Sequence, residues 1–467
     1  MTGGAAAEAA AGVAAHGVGP GAPLRPQNPA EKIALRSLQL TWPFYFIGAL
    51  YVVGPVLGWI LAGLAALALF LGPAIRRDLR PTGSIPPVVW AWILGMGVML
   101  IALWVGHLNW GFGAKGTIKS TIGWAKGWAL VALFPFAGAI LPVRREILVR
   151  GHCHVALWTL ILTPILFVAP MIGLPEKIFT SPLKAVGGPG PEYFSVYFYT
   201  IDPGAGVPRW QFYVPWSPFA ALLGVVMVLF ALEERDRRWM AAGIAAGVIM
   251  ILLSKSRMGL VGLVACTIGP RMLPLIFKGW AWQVAAAISA SMAVLGTALL
   301  QMLQDGVAAF KGARADSTRV RETLQRIAGE RWREEAFWFG HGRVAPGPHL
   351  VEYMPIGSHH TWWGLLFVKG AVGFAALLVP LVWQTALALV DAARGPRGRL
   401  PLGIMMTLVL LSFGENIEIE AYMFWPGLMI LGLHARELSD EARDRRLRAE
   451  LAAQAAATAR MQSTGAA

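Results

Sequence analysis

Four groups of residues carry the chemistry that this sequence is able to offer. Ser254, Lys255, Ser256 and Arg257 stand at a short break between two apolar runs, Arg319 and Arg321 open a polar stretch, and His359-His360 precede a further apolar run. Arginine suits a diphosphate because its planar fork donates paired hydrogen bonds and keeps its charge. Imidazole suits proton abstraction near neutral pH. A site that holds an anionic lipid diphosphate and deprotonates an incoming hydroxyl needs this set of residue types. Taken singly, each arginine reads as a lipid-headgroup contact and each histidine as an interfacial residue satisfied by backbone. The functional reading rests on their convergence. Glu415, Glu418 and Glu420 either orient His359 or an arginine or simply face water, and Lys369, some eight residues into an apolar run, requires a partner or water. His341, His349, His359 and His360 have no carboxylate or cysteine at ligand spacing, so no metal site is expected. No G-x-x-x-x-G-K-[ST] loop and no Asp-x-Asp pair is present, which disfavours a metal-bound nucleotide donor.

The elements that must position these residues are membrane helices. Of 467 residues 56% are hydrophobic and only 14% are charged, and mean hydropathy is +0.57, which excludes an ordinary soluble domain. Lys and Arg total 40 against 26 Asp and Glu, a formal charge of +14. The basic residues sit in short clusters between apolar runs, as topology signals do, so a nucleic-acid partner is not expected. Two cysteines, both inside apolar runs, offer no disulfide framework.

A bilayer core needs about 20 apolar residues per helix. Spans are expected near 85–107, 124–142, 151–173, 214–231, 239–253, 258–277, 280–302, 361–390, 401–414 and 421–434, with 42–72 read as a hairpin of two short spans broken at Gly54-Pro55. One long tilted helix is the alternative for 42–72. The hairpin makes twelve spans, and it puts Arg25, Lys32 and Arg36, then Arg76, Arg77 and Arg80, then the clusters at 144–150, 235–238 and 394–399 on one side, the cytoplasm. The expected organisation is a disordered cytoplasmic tail over 1–41, nine transmembrane helices over 42–302, an outer loop over 303–360, three more helices over 361–434 and a short exposed charged helix with a frayed tail over 435–467. In the outer loop, Val320, Leu324 and Ile327 against Arg319, Arg326 and Arg333 predict an amphipathic surface helix. Aromatic residues of 174–213 (Tyr193, Phe194, Tyr197, Phe198, Tyr199, Trp210) predict a segment at headgroup level.

STRVRETLQRIAGERWREEAFWFGHG followed by IGSHHTWWGLLFVKGAVGF resembles the signature of the O-antigen ligase and O-antigen polymerase superfamily. There an Arg precedes a Phe-Gly-x-Gly turn by about nineteen residues, and Arg321 stands nineteen before Gly340. The family's His lies eleven before a Gly-x-x-Gly, and counting back from Gly370 and Gly373 gives His359, with His360 where the family has Asn or Ser. Ser254, Ser256, Arg257 and Gly259 match a third element, Ser-x-Ser-Arg followed by Gly.

The resemblance implies an all-α, polytopic membrane bundle of about twelve helices with a long periplasmic loop, in the bacterial inner membrane. It also implies metal-independent, inverting transfer of a glycan from undecaprenyl diphosphate, without a cofactor, at a periplasmic site. His359 would be the general base, with His360 the second candidate; Arg257, Arg321, Arg319 and Lys255 would bind the diphosphate, and Glu415 and Glu418 would orient the site. A lipid A-core acceptor makes such a protein an O-antigen ligase, a lipid-linked repeat a polymerase, and a protein serine an O-oligosaccharyltransferase. A flippase for the same lipid-linked sugar, or a scaffold for polysaccharide assembly, is the rival class.

Overall fold

The computed structural model describes residues 24–71, 84–294 (except 203 and 205) and 315–464 (except 352). In chain order the helices are α1 (Pro29–Gln39), α2 (Thr41–Phe46), α3 (Leu50–Leu71), α4 (Pro87–Asn109), α5 (Gly113–Lys126), α6 (Trp128–Ile140), α7 (Arg145–Val168), α8 (Ser217–Ala231), α9 (Arg237–Ser254), α10 (Arg257–Met272), α11 (Gly279–Val294), α12 (Ala315–Glu335), α13 (Thr361–Arg394), α14 (Arg399–Gly414) and α15 (Ile417–Thr464). Seven helical stretches among the described residues are long and apolar enough to cross a membrane: α3, α4, α5 with α6, α7, α9, α10 extended to Phe277, and α13. The only strands described are two short antiparallel pairs, Lys177–Thr180 with Ser195–Tyr197 and Thr200–Ile201 with Pro208–Arg209. The fold is therefore a helical bundle with membrane-spanning character.

The bundle has two chemically different ends. At one, Arg144 donates to Glu31 at 2.7 Å, Arg150 to Glu234 at 2.8 Å, Arg145 to Glu437 at 3.0 Å, and Arg397 to both Asp391 and Glu441. These ion pairs stitch the basic segments at 25–36, 144–150, 235–238 and 394–399 together, as the sequence predicts; the 76–80 cluster lies outside the described residues. The opposite end gathers the turns at 47–49, 126–128, 254–256 and 414–416, the 174–213 loop, and the 336–360 segment.

Several expectations need correction. The expected break at Gly54-Pro55 is absent: α3 runs through Pro55, whose missing N–H removes only the hydrogen bond to Tyr51 in the first turn. The chain turns instead at Gly48, where φ is +64° and a Cβ would come within 2.5 Å of the Phe194 carbonyl. Residues 29–39, expected in a disordered tail, form α1, which lays Ala30, Ala34, Leu35 and Leu38 against α7; Glu31, Lys32 and Arg36 on its other faces hide this stripe from a hydropathy count.

The 174–213 aromatics fold onto the bundle. Tyr193, Phe194, Tyr199 and Trp210 are buried, the Trp210 indole donates to the Leu166 carbonyl, and the Tyr45 hydroxyl donates to the Tyr197 carbonyl. The amphipathic helix exists as α12, but its apolar stripe is taken up by protein: Leu324 and Ala328 are fully buried, against Gly347 and the cluster of Ile356, Phe367 and Val368. Finally, the last span and the charged tail form one continuous 48-residue helix, α15, because no helix breaker lies between Gly432 and Thr464.

Candidate functional site

The site is built around an interruption in α13. Gly370 has φ 63° and ψ −165°, conformations outside the helical region, so the carbonyls of Phe367 and Val368 and the N–H groups of Ala371 and Val372 lose their helical partners. The 337–342 turn supplies replacements. His341 N–H donates to the Phe367 carbonyl and Gly342 N–H to Val368, while Ala371 N–H donates to Phe337 and Val372 N–H to Trp338. Four main-chain hydrogen bonds thus dock a loop into a broken helix, satisfying groups that burial would otherwise make costly. Two main chains this close leave no space for side chains. Gly340 has φ +66°, and a Cβ there would lie 2.5 Å from the Lys369 nitrogen; a Cβ on Gly370 would collide with the Trp338 carbonyl. The Phe-Gly-x-Gly and Gly-x-x-Gly motifs are the two halves of this junction.

The junction sets the position of Lys369. Its side chain is 3% exposed, its Nζ is 3.8 Å from Glu418 Oε2, and it lies 5.4 Å from the centroid of the Trp128 ring. Gly373, one turn on, leaves the space that its Cβ occupies. A buried ammonium needs such a partner.

His359 is placed from the other direction. It holds φ +59°, the left-handed region, immediately before the residue that caps α13. Thr361, fully buried, fixes this corner: its hydroxyl donates to the Glu415 carbonyl at 2.8 Å and accepts from Ile417 N–H at 3.0 Å. The α14–α15 turn is thereby tied to the start of α13. The result brings His359 Nδ1 to 3.5 Å from Glu415 Oε2, with the carboxylate 3% exposed and the imidazole 38%. His359, Glu415, Lys369, Glu418 and Trp128 line one cavity of about 280 Å³.

His360 is turned away. Its ring packs against Phe413 and Trp363, it is not part of the cavity wall, and burial pushes its imidazole below the ordinary value. The two histidines, equal in the sequence, are therefore distinct in the fold. Glu415 and Glu418 both line the cavity; Glu415 is buried, so the simple solvent-facing alternative fails for it, while Glu418 is partly exposed. Glu420 is fully buried.

The cations are arranged at the same end but outside this cavity. Arg257 opens α10, half-buried, and the adjacent Met258 reaches Gly414, next to Glu415. Lys255 is exposed at φ +51°, in a turn secured by Arg209 Nε donating to the Ser254 carbonyl at 3.0 Å. Arg319 is exposed and Arg321 half-buried on α12, one or two turns before Leu324 and Ala328 seat that helix. Of the lining residues described, none is Arg257, Arg319, Arg321 or Lys255.

Another cluster flanks the junction. Glu335 accepts from Arg331 Nε and Nη2, and His341 Nε2 lies 2.7 Å from its Oε2, while His341 Nδ1 is 3.0 Å from the Phe367 carbonyl. The Arg331 guanidinium, with His341 adding to it, holds the Glu335 carboxyl down to about 2.

Sequence reasoning missed Thr361, Trp128 and Asn416, whose side chain accepts from Glu418 N–H. Thr361 and Trp128 carried no signal, since each looks like ordinary helix material. Asn416 did: it is the one uncharged polar side chain amid three glutamates in a turn between apolar runs. No family model matches the chain, and no curated protein matches it.

Proposed function

We propose that the protein is an inverting, metal-independent glycosyltransferase that moves a glycan from undecaprenyl diphosphate to an acceptor hydroxyl, with an O-antigen ligase as the preferred member of that class. The observation that carries this reading is the His359–Glu415 pair at the wall of a cavity on the end opposite the basic clusters. With Nδ1 turned to Glu415, Nε2 is left for the acceptor. The carboxylate orients the ring and stabilises the imidazolium that forms. As His359 takes the acceptor's proton, the acceptor oxygen forms a bond to the anomeric carbon from the face opposite the leaving group. The bond from that carbon to the diphosphate oxygen breaks, and its electron pair leaves with undecaprenyl diphosphate.

Charge separates the two substrates. Glu415 and Glu418 against Lys369 leave the cavity unsuited to a diphosphate, whose own charges those carboxylates repel. The diphosphate belongs with Arg257 and Arg321, supported by Arg319 and Lys255, outside the cavity, where guanidinium groups stabilise developing charge. The acceptor belongs in the cavity beside His359.

The wider setting follows the same logic. In this reading the chain crosses a bacterial inner membrane about twelve times. On the same reading the basic end faces the cytoplasm by the positive-inside rule, and the site faces the periplasm.

Reconstitution tests the assignment. Purified protein is given undecaprenyl-diphosphate-linked glycan and lipid A-core, and transfer is followed with release of undecaprenyl diphosphate, which a flippase does not produce. His359→Ala is expected to lower turnover by about 10²–10⁴, with Glu415→Gln between it and wild type and His360→Ala near wild type. Undiminished transfer in His359→Ala rejects the base.

A further inference from the structure

We infer that the cavity inside the His359–Glu415 pair is a subsite for a sugar ring of the acceptor, recognised by the Lys369–Glu418 ion pair and the Trp128 indole. The inference rests on the transferase reading and narrows its acceptor from any hydroxyl to a carbohydrate hydroxyl.

The wall of the cavity offers hydrogen-bonding groups that the protein itself leaves incomplete. Trp128 is 1% exposed, and its Nε1 has no hydrogen-bond partner; the Ser358 hydroxyl is buried and equally unpartnered. Both residues line the cavity. Buried polar atoms without partners are rare in folded proteins and mark places where a ligand or water completes the set. Lys369 and Glu418, at 3.8 Å, lie beyond ordinary hydrogen-bond distance. An ammonium and a carboxylate so placed have donors and acceptors to spare.

The ligand that satisfies this set is neutral, carries several groups that both donate and accept, and presents a flat apolar face. A pyranose ring has these properties: adjacent hydroxyls donate to Glu418 and accept from Lys369, other ring oxygens accept from Trp128 Nε1, and Ser358 either donates or accepts. An anion meets two carboxylates here, and an aliphatic chain leaves every one of these polar groups unanswered. A protein serine side chain leaves most of the 280 Å³ unfilled.

The depth also fits. Lys369 lies eight residues beyond Thr361, about 12 Å along α13, and a helical side chain leans back towards the N-terminus, here towards His359. A ring held by Lys369 and Glu418 is thus in the inner part of the cavity and its neighbour, or its outward hydroxyl, is at the imidazole. This gives the helix interruption at Gly370 a purpose: the docked 337–342 turn fixes the backbone at the residue that recognises the acceptor.

Saturation-transfer NMR on the full-length protein in nanodiscs provides the test, with D-glucose, D-galactose, N-acetyl-D-glucosamine and L-glycero-D-manno-heptose as probes. At least one sugar is expected to receive saturation from the wild type. The double variant Lys369→Met/Glu418→Gln removes both charges without stranding either, which protects folding, and it should abolish the signal. Leu447→Ala, exposed on the tail of α15, should keep it. In the reconstituted reaction the double variant should raise the acceptor KM by about tenfold or more, as expected for lost hydrogen bonds to charged groups, and leave the donor KM unchanged. Saturation of none of the four sugars overturns the subsite, as does an undiminished signal in the double variant or saturation of a serine peptide instead of the sugars. Sugar binding by a wild type that transfers nothing would instead leave the subsite standing and remove the transferase reading.

Discussion

A histidine at φ +59° is held against its preference, at a cost on the order of 1–3 kcal/mol. Thr361 maintains that conformation through its two hydrogen bonds across to the α14–α15 turn. Such residues explain what could and could not be read from single positions. His359, Arg257 and Arg321 stand out because polar residues are scarce in an apolar chain and because their spacing is informative. The difference between His359 and His360 is invisible in one dimension, since it depends on which neighbour takes the left-handed backbone and which caps the helix. Glu335 provides a prediction at this scale. Its carboxyl is held at about 2 by Arg331 and His341, against an ordinary value of 4.5. A depressed carboxyl contributes stability that is complete above 4.5 and is lost as pH falls through the folded-state value. Wild type is therefore expected to melt above Glu335→Gln at pH 6, with the gap closing as pH is lowered from about 4.5 to about 2, as thermal unfolding at a series of pH values would measure. A gap that persists unchanged to pH 2 contradicts the ion pair.

At the scale of elements, backbone geometry outweighs side-chain identity. Gly370→Ala must place a Cβ against the Trp338 carbonyl at a positive φ, so a loss of more than about 2 kcal/mol is expected. Gly97, in the interior of α4 with nothing within 4 Å of a would-be Cβ, is the matched comparison. There alanine should be neutral or stabilising by up to about 1 kcal/mol. Denaturant titration of both variants in the same detergent measures the difference, and equal stabilities would mean that the junction is not close-packed in solution. Hydropathy and helical periodicity revealed that α4, α7, α9, α10, α12 and α13 exist and roughly where. They misjudged α1, because its small stripe of Ala30, Ala34 and Leu38 is diluted by charge, and they did not reveal that aromatics of the 174–213 loop are buried in protein, because such a residue has the same composition as one in a membrane interface. The docking of 337–342 into α13 was out of reach, since a long-range main-chain pairing leaves only glycines as its trace.

Over the whole molecule the charges divide by end. The basic clusters carry a topology signal in the sequence; their partners Glu31, Glu234, Asp391 and Glu437 carry no comparable signal because ion pairing is a three-dimensional property. Glu31 is fully buried and receives three hydrogen bonds from Arg144. Arg144→Ala leaves that buried carboxylate its main-chain donors, Arg144 N–H and Gln27 N–H, but no counter-charge, and a loss of about 3 kcal/mol is expected in unfolding measurements, whereas Arg445→Ala on the exposed part of α15 should change stability by less than about 1 kcal/mol. Comparable effects of the two would argue against a buried pair at this end. The opposite end is secured differently, by amide-to-carbonyl bonds that any residue type supplies and by a few positions where only the absence of a side chain matters. Descent with change acts on such a design unevenly: lipid-facing residues of the spans are free to be exchanged for one another, and so are the residues flanking the turn, without moving the reactive groups. Two chains with this architecture could share little beyond glycines at Gly340, Gly342, Gly370 and Gly373 and a histidine eleven places before the third of them, and yet position that histidine alike.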